Sequence, residues 1–244
     1  MTRINAVFFD VDFTLIHPGP TFQGEGYQRF CAKHGMQVDA TAFTRAVATA
    51  SSLLEGVKDH RYDPQLFIDY TRRIIEEMGG SGPGLEACTR EMYEEWAACH
   101  HFSLYDDVEP VFRDLNARGI GIGLISNTHR SLASFQSHFE LDYLVSGAIS
   151  SSDHGYMKPH PSIFRAALDL LGVTAGESIM VGDSPPDDID GALRVGMRAV
   201  LLRRSGTRPQ WSEARLGDVP VISSLHELPP LVSRLANDDS DRDS

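Results

Sequence analysis

Six short apolar runs punctuate the chain: Ala6-Val7-Phe8-Phe9, Gly121-Ile122-Gly123-Leu124-Ile125, Tyr143-Leu144-Val145, Ser178-Ile179-Met180-Val181, Arg198-Ala199-Val200-Leu201-Leu202 and Val219-Pro220-Val221-Ile222. They are too short and too continuously apolar for helices with one wet face, and they predict strands buried on both sides, the condition of a parallel sheet covered by helices. Between the later runs, helical spacing predicts helices over Val108–Arg118, Pro161–Leu171 and Asp187–Val195. Strand and helix therefore alternate from about Tyr105 onward, the pattern of an α/β, doubly wound fold.

The stretch from Pro18 to His101 reads differently, with helical spacing and no strand. Four helices are predicted, over Thr21–His34, Ala40–Leu54, Pro64–Met78 and Leu85–Cys99. The breaker Gly79-Gly80-Ser81-Gly82-Pro83-Gly84 separates the last two, and Pro64 suits a first helical turn after Asp63. The expected organisation is a Rossmann-like core of residues 1–17 and 102–236, an inserted all-helical unit at 18–101, and a tail at 237–244. That tail, Asn237-Asp238-Asp239-Ser240-Asp241-Arg242-Asp243-Ser244, has no apolar residue to bury and is expected to be disordered.

Composition narrows the function classes. The formal net charge of −12 disfavours a nucleic-acid surface, because phosphate contacts need clustered Lys and Arg. No apolar run approaches the ~20 residues needed to span a bilayer, and the N-terminus lacks the apolar length and cleavage site of a signal peptide. A cytoplasmic protein is expected, with no membrane partner and as a monomer or a homodimer. The three cysteines, Cys31, Cys88 and Cys99, form no CxxC pair and predict buried thiols rather than a disulfide framework or a zinc site.

Candidate chemistry lies where strands end. The first run stops in Asp10 and Asp12, the second in Ser126-Asn127-Thr128, the fourth in Gly182-Asp183-Ser184. Two carboxylates so close repel each other and resist desolvation, so a buried strand end keeps them only when a cation or reacting group compensates. In an open parallel sheet the carboxyl ends of the strands share one edge, where ligands bind. Asp10, Asp12, Ser126 and Asp183 should therefore line one pocket, with Lys158 reaching it from the segment before the Pro161 helix. Three acids, a hydroxyl and a lysine suit a phosphoryl group held with Mg²⁺, which takes hard oxygen ligands and binds phosphate oxygens.

These motifs, in this order, resemble the haloacid dehalogenase superfamily of phosphohydrolases: Asp10-Val11-Asp12-Phe13-Thr14, then Ser126, then Lys158, then Gly182-Asp183-Ser184-Pro185-Pro186-Asp187-Asp188. The resemblance covers about Ile4 to Leu202 and implies that the helical insertion is a cap that closes over a small phosphorylated metabolite. It implies catalytic roles for Asp10 as nucleophile, Asp12 as general acid and base, Thr14 as support of Asp12, and Ser126 and Lys158 as holders of the phosphoryl oxygens. Ser126, Asn127 and Lys158 form the implied substrate-binding set. Asp10, Asp12, Asp183 and Asp188 form the implied Mg²⁺ set, Asp188 being favoured over Asp187. Family members that dehalogenate 2-haloacids lack the second acid, so Asp12 favours a phosphatase. A phosphomutase of the same family and a signalling module that keeps its aspartyl-phosphate are the alternatives. Phe13 departs from the Gly or Asp usual at its position.

Elsewhere the plain readings are preferred. Asp190 is read as part of an acidic helix start. The pair His100-His101 is read as surface residues, since neighbours in a helix or turn do not face one ligand sphere. Trp96 and Trp211 are read as packing residues, and His17 as a neighbour of the first motif or an ordinary loop residue.

Overall fold

The computed structural model describes residues 3–204 and 217–237. Trp211 and the tail from 238 lie outside them. The chain forms two compact units, one of Met1–His17 with Leu104–Ser244 and one of Pro18–Ser103.

The first unit is built on six parallel strands: β1 (Ala6–Phe9), β4 (Gly121–Ser126), β5 (Gly147–Ser150), β6 (Ser178–Gly182), β7 (Arg198–Leu202) and β8 (Val221–Ile222). Their order is β5-β4-β1-β6-β7-β8. All five neighbouring pairs run parallel. β1 is central, and the chain builds outward on its β4 side before returning to its β6 side. That reversal makes the carboxyl end of β1 a topological switch point, where the crossing connections leave a crevice. Phe9 is level with Leu124 of β4 and with Val181 of β6. Continuing that register by one residue sets Asp10 beside Ile125 and Gly182, so Ser126 and Asp183 follow one step further on either flank.

The helices are α5 (Val108–Ala117), α6 (Leu132–His138), α7 (Ser151–His154), α8 (Pro161–Leu171), α9 (Gly191–Arg194) and α10 (Leu228–Asn237). α8 starts at Pro161 behind His160, whose side chain accepts from Ser162 N–H, and stops at Gly172. Its buried face of Ile163, Phe164 and Ala167 joins Phe8, Met180, Ala199 and Leu201 of the sheet in one cluster. Each of the larger side chains contributes on the order of 2 kcal/mol by leaving water.

Two predicted elements need correction. Tyr143-Leu144-Val145 is not a strand; Tyr143 is 59% exposed, and the strand pairing with β4 is Gly147–Ser150. The helix predicted at Asp187–Val195 begins earlier, as a π-helical turn over Pro185–Asp190 capped by Ser184, and continues as α9.

The second unit contains α1 (Gly24–Lys33), α2 (Phe43–Glu55), α3 (Pro64–Glu77) and α4 (Leu85–Trp96). Asp63 caps α3 by accepting from Gln65 N–H, with Pro64 in the first turn. α3 packs between α2 and α4, and α1 packs on α4. Cys31, Cys88 and Cys99 are buried and form no disulfide with one another. The chain crosses between the units at β2 (Ile16–Pro18) and β3 (Phe102–Leu104), which pair as a two-stranded sheet. Among the described residues no helix is long and apolar enough to cross a membrane.

Candidate active site

Asp10 follows the central strand directly, and its backbone N–H still belongs to the sheet, donating to Val181 O at 2.9 Å. Its carboxylate is buried and accepts from Lys158 Nζ at 2.6 Å. The same ammonium donates to Asp188 Oδ1 at 2.7 Å and to the Ile125 carbonyl at 2.8 Å, so all three of its protons are placed. Burial alone would pull the Lys158 amine down, but the Asp10 and Asp188 charges more than offset it and hold the amine above its ordinary value.

Asp183 sits one residue past β6, and its ligand oxygen, with those of Asp10 and Asp188, forms a group all within 4.8 Å of one another. With all three ionised, the carboxylates against one ammonium leave two negative charges in excess, which one divalent cation would balance. The strain of that excess falls on Asp188, whose carboxyl is pushed up to about 8, by burial first and by Asp10 and Asp183, against the pull of Lys158. An all-oxygen donor set with surplus negative charge fits a hard cation such as Mg²⁺.

Asp188 is seated by its other oxygen, which accepts from Ser184 N–H at 3.0 Å. It can approach because residue 182 is glycine: a Cβ there would lie well inside contact with the Asp188 carboxylate. Asp187 instead accepts from the Ser184 hydroxyl at 3.0 Å within the same turn and is not part of the carboxylate cluster.

Asp12 lies on the loop that turns the chain from β1 to β2. That loop is tight, with Leu15 N–H bonded to Val11 O and Phe13 N–H to Ile16 O, and Phe13 takes a left-handed backbone with φ of 67°. A residue without a Cβ adopts that conformation at no steric cost, which explains why glycine suits the position and phenylalanine strains it. Thr14 is fully buried and its Oγ1 has no protein partner. The loop is held instead through the Thr14 carbonyl, which accepts from Arg204 Nε at 3.0 Å and from a second Arg204 N–H at 2.9 Å. Arg204 lies over the Tyr105 ring at 3.7 Å and is bidentate to Asp107 at 2.8 and 3.0 Å. Tyr105 also meets His17, with ring centroids 4.9 Å apart.

Ser126 ends β4 with its Oγ buried and without a protein hydrogen bond. A hydroxyl in that state has its donor available to an oxygen of a bound ligand. Asn127 is committed locally: its amide donates to the Lys158 carbonyl at 3.0 Å and accepts from Lys158 N–H at 2.7 Å. It clips the Lys158 segment to the end of β4.

One residue that sequence reasoning missed stands out. Arg130 is fully buried, and its guanidinium donates to Asp12 Oδ1 at 2.9 Å from 118 positions away in the chain. Its backbone N–H is set by the Thr128 hydroxyl at 3.0 Å. The signal available in the sequence was only its place, four residues after Ser126 in a short polar turn. Asp107 and Arg204 were likewise missed, since neither lies in a motif.

A family model of haloacid dehalogenase-like hydrolases matches residues 4–196. The N-acylneuraminate-9-phosphatase of Mus musculus is 30% identical over 253 aligned residues, covering 96% of each chain. The phosphoserine phosphatase of Thermus thermophilus is 33% identical over 159 residues, covering 61% of this chain and 60% of that one. Among solved structures, a 2-haloacid dehalogenase from Pseudomonas syringae superposes with a TM-score of 0.62 at 27% identity, covering 95% of this chain and 99% of its own.

Proposed function

The chain belongs to the haloacid dehalogenase-like hydrolases, and we propose that it is a Mg²⁺-dependent phosphatase of a small phosphorylated metabolite working through an aspartyl-phosphate. The observation that carries the reading is the Lys158 ammonium lodged between Asp10 and Asp188 in a cluster of three carboxylates. The two phosphatase relatives support the choice of phosphate monoesters, and phosphoserine and N-acylneuraminate 9-phosphate, the compounds in their names, join phosphoglycolate, sugar phosphates and nucleotide-like esters as candidates to assay.

In this reading an Asp10 oxygen forms a bond to phosphorus as the bond to the ester oxygen breaks, and Asp12 delivers a proton to the departing alkoxide. Asp12 then takes a proton from the water that attacks the acyl phosphate, releasing inorganic phosphate and restoring Asp10. Ser126 Oγ donates to a phosphoryl oxygen, and Lys158 supplies positive charge beside the transferring group. Asn127 serves by holding Lys158. Asp10, Asp183 and Asp188, with the Asp12 carbonyl, would hold Mg²⁺, whose charge lets a carboxylate approach an anionic phosphoryl group. The presence of Asp12, held by Arg130 at the site, supports phosphoryl transfer over the dehalogenation named for the Pseudomonas syringae protein, because expulsion of an alkoxide calls for a second acid near the nucleophile.

The test is a panel of phosphate esters with and without Mg²⁺, ranked by kcat/KM, with Asp10→Asn as control. Phosphate release that needs Mg²⁺ and is lost in the variant is expected. Full activity in Asp10→Asn, or metal-free turnover of 2-haloacids in place of esters, would overturn the reading.

A further inference from the structure

The helical unit carries a second group of metal-ligating side chains with a different chemistry. Glu95, in the last turn of α4, and His100 and His101, in the 3₁₀ turn Cys99–His101, offer a carboxylate oxygen and two imidazole nitrogens all within 4.8 Å of one another. Adjacent histidines in a regular helix diverge by about 100°. Here the two rings lie 4.0 Å apart between centroids, tilted by 46°, and their ligand nitrogens come within reach of one point, which corrects the reading of the pair as unrelated surface residues.

The turn is held by backbone as well as by side chains. The His101 N–H donates to Ala98 O at 3.2 Å, and its carbonyl accepts from Gly19 N–H at 2.7 Å. Gly19 must lack a side chain, since a Cβ would come within 2.9 Å of that carbonyl. The His101 ring packs edge-on against Phe22 at 5.5 Å, which limits its rotation. His101 Nε2 and Glu95 Oε2 are 2.7 Å apart, sharing a proton. Donors around a tetrahedral ion with bonds of about 2.0–2.1 Å stand roughly 3.4 Å apart. An ion therefore replaces that shared proton after a movement of under about 1 Å. His100 is exposed, which gives solvent access to the point between the three groups.

We propose that Glu95, His100 and His101 bind a borderline transition-metal ion of the Zn²⁺ class, with water completing the coordination. Two imidazoles and one carboxylate suit Zn²⁺, Co²⁺ or Ni²⁺ and are poor ligands for Mg²⁺, which takes oxygen. The all-oxygen group of Asp10, Asp183 and Asp188 has the opposite preference, so the protein holds two cation sites that ligand chemistry keeps apart. The new site bridges the end of α4 to the segment that leaves the helical unit, and its occupancy stabilises that unit by mass action.

The experiment titrates tag-free, full-length protein with Co²⁺, following visible d–d absorption, and with Zn²⁺ by competition, both in excess Mg²⁺. Wild type is expected to bind one Co²⁺ that Zn²⁺ displaces. Glu95→Gln and the exposed-site variant His100→Ala should each weaken binding by about 100-fold or abolish it, while Asp183→Asn should leave it unchanged. Circular dichroism of each variant confirms that the fold persists. Absence of binding below millimolar Co²⁺ in wild type, binding indifferent to Glu95→Gln and His100→Ala, or binding lost in Asp183→Asn would overturn the proposal.

Discussion

Replacing Arg130 with Met separates what the buried guanidinium does for chemistry from what it does for stability. Arg130 is fully buried while the Asp12 side chain it holds is 17% exposed, so the variant leaves no wholly buried carboxylate behind. Removing one partner of a largely buried ion pair destabilises by up to about 3–5 kcal/mol, so rates are compared at a temperature where circular dichroism shows each variant folded. The lost hydrogen bond, one charged group to another, is worth about 1.5–3 kcal/mol. If Asp12 needs that bond to stay aimed at the leaving oxygen, kcat falls by roughly 10- to 150-fold with KM little changed. The loss should depend on the ester. An alkyl phosphate expels a basic alkoxide that needs a proton, whereas p-nitrophenyl phosphate expels a stable phenolate that hardly does. Steady-state kinetics on both, for Arg130→Met and for Arg130→Lys, read this directly. Lysine keeps the charge without the planar fork and should recover part of the alkyl ester rate. Equal losses on the two esters, or a fall in Tm that accounts for the lost activity, would refute a positioning role.

Gly182→Ala drives a methyl into the Asp188 carboxylate and should displace it from Lys158, lowering kcat about 100-fold while circular dichroism stays native; unchanged kcat would show that Asp188 has room to spare. Lys158→Met leaves Asp10 and Asp188 facing each other uncompensated, at a cost of about 3–5 kcal/mol in metal-free protein. Mg²⁺ should raise the variant's Tm by more than it raises that of wild type, and an equal rise would count against the cluster as the cation site. For Asp107, burial works to raise the carboxyl, but hydrogen bonds from Arg204, Ser224 and Leu225 N–H outweigh it and hold it below its usual range. A depressed folded value means its stabilisation is complete above about pH 4 and is lost as pH falls through the folded value. Urea unfolding should thus find Arg204→Met less stable than wild type by about 3–5 kcal/mol at pH 7 and by distinctly less near pH 2; a gap of constant size would exclude this linkage.

The core strands were legible because a sheet buried on both faces leaves continuous apolar runs, as β1, β4, β6 and β7 show. β5 was not, because Gly147-Ala148-Ile149-Ser150 has weak strand propensity and is fixed by pairing with β4, while the more apolar Tyr143-Leu144-Val145 nearby has no partner strand. β2 and β3, at three residues each, are too short to display any period. α6 and α7 lack the length that marks α8, while α10 opens on Pro229-Pro230, a pair that reads as a break. At the site, Asp10 and Asp183 could be gathered from strand ends alone, since the sheet edge brings them together whatever lies between, whereas Lys158 was placed from its segment before the Pro161 helix and Asp188 rested on the family resemblance. Arg130, Arg204 and Asp107 could not, because their partners are set by how loops fold over that edge. Asn127 was legible as a polar residue at the edge, but its bond to the Lys158 backbone depends on the course of a segment 31 positions later.

The hydrogen bond from Gly19 to His101 has a further meaning for how such a chain can change. The helical unit enters and leaves through residues that touch, so its two ends behave like the two prongs of a plug. A unit joined in that way can be removed and its ends closed by a short turn, or exchanged for another insertion, without redrawing the strand order that brings Asp10 and Asp183 together. Catalytic machinery and insertion are thus free to diversify at different rates, and two such proteins could share every carboxylate while having nothing in common between Pro18 and Ser103.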